Sequence, residues 1–326
     1  MAPTIGPNNK NQDFALEFDI RDGGKVLPNK EVRPRGALGL ALSVAASALA
    51  AGLLLAGAAK PAHAEFEIQE AEVEKGEVEI EYRGAVHWGF PAGEKQEAGA
   101  EEGALEDEEE APLRQSHDLE TEWGITDRWL VSATFTADQP LGENFETSAV
   151  EFEVQYEIIE PQGKGLGLAF HVSYGIATRG GNADEIEFGP IVDYEVGKLA
   201  LTLNPFLTTQ VGENRETDGL GFQYGWRAEY EVADHWGIGA EMFGEIEDLA
   251  NAGSFDDQNH SIGPTLFYNP GEKDENVGGE GDDDDENKKK ASGPAEMEFS
   301  FNVGVQFGLT DVTSDTALKF QGSLSF

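Results

Sequence analysis

Residues 149–159 read AVEFEVQYEII, which sets Val150, Phe152, Val154, Tyr156 and Ile158 on one parity and Glu151, Glu153, Gln155 and Glu157 on the other. Successive side chains of a β-strand point to opposite faces, so a strand here has one apolar face and one ionised face. The theme recurs in about a dozen alternating segments, near 77–88, 117–126, 128–137, 147–159, 165–177, 184–196, 198–211, 219–232, 236–247, 260–268, 298–308 and 316–326. No segment of comparable length in this region has a helical period, so the chain is predicted to be all-β. Segments of about ten to thirteen residues exceed the usual soluble strand of about five or six and suit a tilted membrane strand of about nine to eleven.

Two architectures share this pattern. In a soluble sandwich or lipocalin-like barrel the apolar parity packs a core, whereas in an outer-membrane barrel it meets lipid and the ionised parity lines a wet interior. The apolar parity runs through Leu166, Leu168, Phe170, Val172, Tyr174 and Ile176, then Ile186, Phe188, Pro190, Val192, Tyr194 and Val196, then Leu220, Phe222, Tyr224, Trp226, Ala228 and Tyr230, without one charge. A soluble core would exclude charge as well. Aromatic crowding near the segment ends, at Trp123, Trp129, Tyr156, Tyr194, Tyr230 and Trp236, favours lipid because it matches an interfacial girdle. The predicted fold is an antiparallel transmembrane β-barrel of about twelve strands.

Ahead of these segments lies an uncharged run from Ala37 to Ala59, preceded by Arg33 and Arg35 and followed by KPAHA at 60–64. A basic flank, an apolar stretch and a small-x-small ending describe a secretory signal cleaved after Ala64. An uncleaved anchor is the alternative, since a run of this length can span a bilayer. The predicted organisation is a polar N-terminal extension over 1–34, which a start at Val26 or Val32 would shorten, a signal peptide over 35–64, and the barrel over 65–326. Lys and Arg number 22 against 63 Asp and Glu, a formal net charge of -41, and there is no Cys. Such an acid excess repels nucleic acid, and no chemistry here rests on thiols.

Two acidic loops interrupt the strands, near 91–116 and 269–294, with the low hydrophobicity and high charge of disordered segments. GDDDDEN in the second lacks the Gly and final Glu of an EF-hand loop, so no metal is predicted there. Counting twelve strands puts the 269–294 insertion on the periplasmic side, where short turns are usual, unless a further short strand hides in 247–268.

The stretches 120–135 and 227–243 echo each other, each carrying an Asp in a short turn, Asp127 or Asp234, and a Trp two residues later. The chain stops on ALKFQGSLSF, with Leu318, Phe320, Leu324 and Phe326 on one parity. That ending resembles the terminal assembly signal of bacterial outer-membrane barrels. With GITDRW, VADHW and GLTDVTSDTALKFQGSLSF, residues 77–326 resemble the outer-membrane transporter family associated with phenol meta-pathway degradation. The resemblance implies a porin-like barrel in a Gram-negative outer membrane and supplies no catalytic motif. It implies outer-membrane lipid, the barrel assembly machinery (through the strand ending at Phe326) and small solutes as partners.

The candidate lumen-lining residues are Glu151, Glu153, Glu157, Glu185, Glu187, Arg227, Glu229 and Glu241. An open acidic lumen would favour cations over anions in a porin-like or transporter-like passage of small solutes. The alternative is an inert wall in which Arg83, Arg227 and Lys319 bridge acids across a filled barrel, giving a non-transporting structural or surface-interaction protein. Enzymatic readings find little support. His171 and Ser173 share a polar parity with no orienting third group evident and read as solvated bystanders. The other histidines of this region, His87, His117, His235 and His260, are scattered without metal-ligand spacing, and no phosphate-binding or dinucleotide motif occurs. No catalytic residue, metal or cofactor is predicted.

Overall fold

A computed structural model describes residues 66–90, 112–160, 165–215, 217–269 and 297–326. The extension and signal over 1–64, and most of both acidic loops, lie outside the described residues. The strands are β1 (Val78–Trp88), β2 (Leu113–Gly124), β3 (Trp129–Pro140), β4 (Glu146–Ile159), β5 (Leu166–Ala177), β6 (Asp184–Val196), β7 (Leu199–Val211), β8 (Gly221–Ala233), β9 (Trp236–Ile246), β10 (Asn259–Tyr268), β11 (Glu298–Gly308) and β12 (Thr316–Ser325). Each pairs antiparallel with its sequence neighbours, and β1 pairs with β12 to close a twelve-strand barrel. Beyond the closing ladder, Val78 and Phe326 exchange two backbone hydrogen bonds of 3.0 Å.

The barrel is inside out relative to a soluble domain. In β4 the apolar parity faces away from the barrel, with Val154 43% exposed, while its neighbours Glu153 and Glu157 are 6% and 1% exposed. Large exposed hydrophobic side chains continue around the wall at Leu119, Phe170, Val172, Tyr194, Leu203, Ile238, Leu266 and Val303. Burial therefore concentrates on polar residues: the inner wall carries buried Glu, Asp, Thr, Ser, Asn, Gln and Arg side chains. A soluble sandwich or lipocalin would show the reverse.

Strand directions place all six predicted girdle aromatics at the barrel end that carries Val78 and Phe326. Trp123, Tyr156, Tyr194 and Tyr230 lie near the ends of descending strands, and Trp129 and Trp236 begin ascending ones. Trp129 packs on Tyr156 at 4.7 Å, and Trp236 on Tyr268 at 5.1 Å. The turns at this end are short. Gly197–Lys198 joins β6 to β7, with Gly197 at φ +64°, and Asp234–His235 joins β8 to β9, with His235 at φ +67°. The acidic insertion between β10 and β11 opens at this same end, so the count of twelve holds. The 247–258 stretch contributes no strand but one 3-10 turn, Phe255–Asp257. Strand β2 begins at Leu113, so the tail of the predicted first acidic loop is wall.

Two seams are incomplete. Between β6 and β7 the register is the same above and below, Phe188 with Leu207 and Val192 with Leu203, but the rungs between are unpaired. Continuing that register sets Pro190 directly opposite Pro205. Each proline still pairs with its other neighbour, Pro190 with Phe170 and Pro205 with Tyr224, so the missing N–H of each faces the other and both hydrogen bonds of that rung are absent. Between β10 and β11, Pro264 likewise lacks a donor toward Val305, and the rungs at Gly263 and Pro264 are unpaired. Glycine precedes the proline in both β6 and β10. A Cβ on Gly189 would stand 2.5 Å from the Pro205 carbonyl oxygen, and one on Gly263 closer still to that of Val305. The bare Cα leaves room for the orphaned carbonyl to approach closely.

Candidate functional site: the barrel lumen

All eight predicted lumen residues face inward, alternating with outward apolar neighbours. Their predicted surroundings need correction. The carboxylates of β4 were expected to stand hydrated in open water, but Glu153 and Glu157 are buried, and several acids of the wall hold cations. The interior is occupied by side chains and by an irregular strap, residues 66–77, that runs inside the barrel before β1 starts.

The strap is fastened along its length. Phe66 lies against the His87 ring at 5.7 Å and the Phe243 ring at 5.1 Å, toward the far end. Asn204 of β7 holds Gln69 by its backbone twice, accepting from Gln69 N at 2.7 Å and donating to Gln69 O at 2.9 Å. Ala71 N donates to Asp193 Oδ2 at 2.6 Å, and Gln155 Nε2 donates to Glu70 O at 2.9 Å. At the near end Gly76 N donates to Gly124 O at 2.7 Å. Gly225 has no side chain where the strap crosses, and a Cβ there would stand 3.0 Å from Glu67 O.

Three cationic centres organise the acids. Arg83 bridges Glu67 at 3.1 Å, Glu120 at 2.7 Å and Glu81 of its own strand. Glu67, Glu120 and Glu153 bring carboxylate oxygens within 4.8 Å of one another, but the Arg83 guanidinium and the Gln69 amide, 2.8 Å from Glu153, occupy that space as an ion-pair cluster. Arg227 pairs with Glu241 at 3.1 Å and with Glu70 of the strap at 2.8 Å, over the ring of Phe267. Lys319 forms a close ion pair with the same Glu241, and Thr265 Oγ1 donates to it at 2.7 Å. Isolated charges at such burial would be costly, so each pair is obligatory once the lumen has closed.

Beside these three, His171 also gathers acids and is no solvated bystander. Fully buried, it directs Nδ1 at Glu153, 3.1 Å away, and Nε2 at Glu187, 3.2 Å away, and its ring stacks on Phe206 at 4.7 Å. Both ring nitrogens face carboxylate oxygens, so neither is left to take a proton from the buried Ser173, and the pair does not form a nucleophile and base. Sequence reasoning missed Glu67, Gln69, Glu70, Asp193 and Asn204 as one site. The available signal was the alternation in FEIQEAEVE, which lies ahead of the first segment recognised as a strand.

No protein-family profile matches the chain, and no curated protein matches it. Solved structures do. An outer membrane channel from Pseudomonas putida F1 aligns at 10% identity with a TM-score of 0.43, covering 82% of this chain and 100% of that one. The KdgM porin aligns at 9% identity and 0.41, covering 76% and 98%. The outer membrane protein Omp33 of Acinetobacter baumannii aligns at 10% identity and 0.35, covering 79% and 99%.

Proposed function

We propose that this chain is an outer-membrane β-barrel channel, without enzymatic activity, that passes small solutes and favours cations. The observation that carries the reading is the inverted distribution of polarity around a closed twelve-strand wall: outward side chains are apolar and inward ones are acidic in excess of Arg83, Arg227 and Lys319. A wall of that kind is stable in a bilayer, where closure leaves no unpaired sheet edge. Net negative charge in the lumen attracts cations and repels anions. The candidate residues of β4, β6, β8 and β9 would set that preference. The C-terminal strand, with Leu318, Phe320 and Leu324 outward, fits recognition by the barrel assembly machinery. The turn motifs GITDRW and VADHW support placing the chain with transporters associated with phenol meta-pathway degradation.

The second reading, a structural or surface-interaction barrel without transport, is favoured by the strap and ion pairs that occupy the described lumen. Single-channel recording of the detergent-purified protein in a planar bilayer under a salt gradient separates the two. Discrete steps with a cation-selective reversal potential, weakened by Glu151→Gln with Glu187→Gln, are expected of the channel. Protein that inserts and remains silent would establish the structural reading instead.

A further inference from the structure

Toward the near end of the lumen, carboxylates and small side chains alternate from strand to strand. Glu157 of β4 is paired with Ala169 of β5, Glu195 of β6 with Ala200 of β7, and Glu229 of β8 with that same Ala200 and with Gly239 of β9. None of these facing residues brings a counter-charge. The strap adds to the acidity here. Its Ala71 shares a buried cluster with Ala169, the charge of Glu72 stands beside those of Glu157 and Glu195, and Glu229 lies in the field of Glu70. The cations of this end are committed elsewhere. Arg227 holds Glu241 and Glu70, Lys198 holds Glu231 at 3.2 Å, and Arg128 donates to the carbonyls of Glu157 and Ile158, both at 3.1 Å. Glu157 is nevertheless 1% exposed, and its Oε1 has no hydrogen-bond partner among the described residues. A carboxylate oxygen so buried is costly unless a donor meets it.

We propose that this near-end vestibule binds linear aliphatic polyamines, with Glu157 and Glu229 of the wall and Glu72 of the strap as the anchoring carboxylates. This rests on the reading of the lumen as cation-favouring and names the class of cation. The spacing decides against a single metal ion. Neighbouring strands lie about 4.8 Å apart, so acids on alternate strands are separated by about 10 Å along the wall. Among the described residues, the carboxylate trio that converges within 4.8 Å is Glu67, Glu120 and Glu153, not this one. A compact ion would meet one of the vestibule acids and keep its water. A chain of ammonium groups separated by methylenes reaches several, each ammonium donating up to three charge-assisted hydrogen bonds. Ala169 and Ala200, between the acids, leave room for the methylenes. Linking the ammonium groups also makes each later contact intramolecular, which raises affinity above that of a monoamine.

The test is isothermal titration calorimetry of spermidine into the detergent-purified full-length protein at physiological ionic strength, a measurement that needs no conduction. One saturable site is expected, with spermidine held more tightly than n-butylamine or Mg²⁺ by about tenfold, the gain of one further charged contact. Glu157→Gln and Glu229→Gln should each weaken spermidine by about the same tenfold factor. Glu143→Gln, in the exposed turn between β3 and β4 at the far end, should change nothing. Spermidine bound equally by wild type and both vestibule variants would belong to the acidic loops and overturn the site, as would the lack of any saturable binding. Mg²⁺ or n-butylamine bound as tightly would overturn the polyamine class. The comparison of the three cations on wild-type protein decides the matter even where a variant fails to fold. In bilayer recordings spermidine should block the wild-type current and spare that of Glu157→Gln. Cation-selective current that spermidine leaves untouched removes the site and keeps the channel, whereas protein that binds spermidine and stays silent keeps the site and removes the channel.

Discussion

Arg83 touches carboxylates from three places in the chain: Glu67 of the strap, Glu81 of its own strand and Glu120 of β2. Removing the guanidinium leaves buried acids facing one another without compensation, so Arg83→Met should destabilise the barrel by about 3–5 kcal/mol in denaturant unfolding from lipid. Adding Glu120→Gln should recover part of that loss. A smaller effect belongs to the turn between β9 and β10. Asp257 accepts hydrogen bonds from Ser254 N and Ser254 Oγ, both 2.8 Å, and these hold its carboxyl below the usual aspartate range. A depressed carboxyl pKa favours the turn above the ordinary aspartate pKa, and the contribution is lost as pH falls through the depressed value. Asp257→Asn should abolish that acid-dependent loosening, read from the amide signals of 254–258 by NMR. At this scale the sequence showed which residues are polar and on which parity, but not the pairs. Arg227 meets Glu70 across 157 positions of chain, and no local pattern encodes such a contact.

Among the elements, alternation was sufficient to find all twelve strands, because a period of two is written in the strand itself. It could not reveal the broken seams, since a proline in one strand matters only through the residue opposite. Pro190 belongs to the apolar parity of its strand and gives no hint that Pro205 faces it. Restoring the donors with Pro190→Val and Pro205→Val should raise unfolding stability by about 1 kcal/mol for each hydrogen bond regained. Gly263→Ala should act oppositely, because its methyl would collide with the backbone of Val305; a lower denaturant midpoint than wild type is expected. The strap escaped notice for a related reason. Its alternating residues resemble a strand, and only the wall around it supplies the partners that keep it out of the sheet.

For the whole molecule, the outward face sets the location and the inward face the chemistry. An arginine at the outward position of Val172, near the middle of β5, should cost about 2–4 kcal/mol, and one at Val196, at the end of β6, about 0–1 kcal/mol, measured as unfolding free energies in lipid. A soluble barrel would tolerate both equally. Asn204→Ala, which releases two strap hydrogen bonds, should increase the open probability in bilayer recordings if the strap obstructs the channel; unchanged currents would make it an inert lining. The sequence by itself determined the number of strands, their two faces, the aromatic end and the acidity of the interior, since each is a property of consecutive residues. Only the tertiary structure decided which acids hold Arg83, Arg227, Lys319 and His171, that a strap fills part of the lumen, and that two prolines meet in one rung. Those facts depend on register and closure, which bring together residues whose separation along the chain carries no signal.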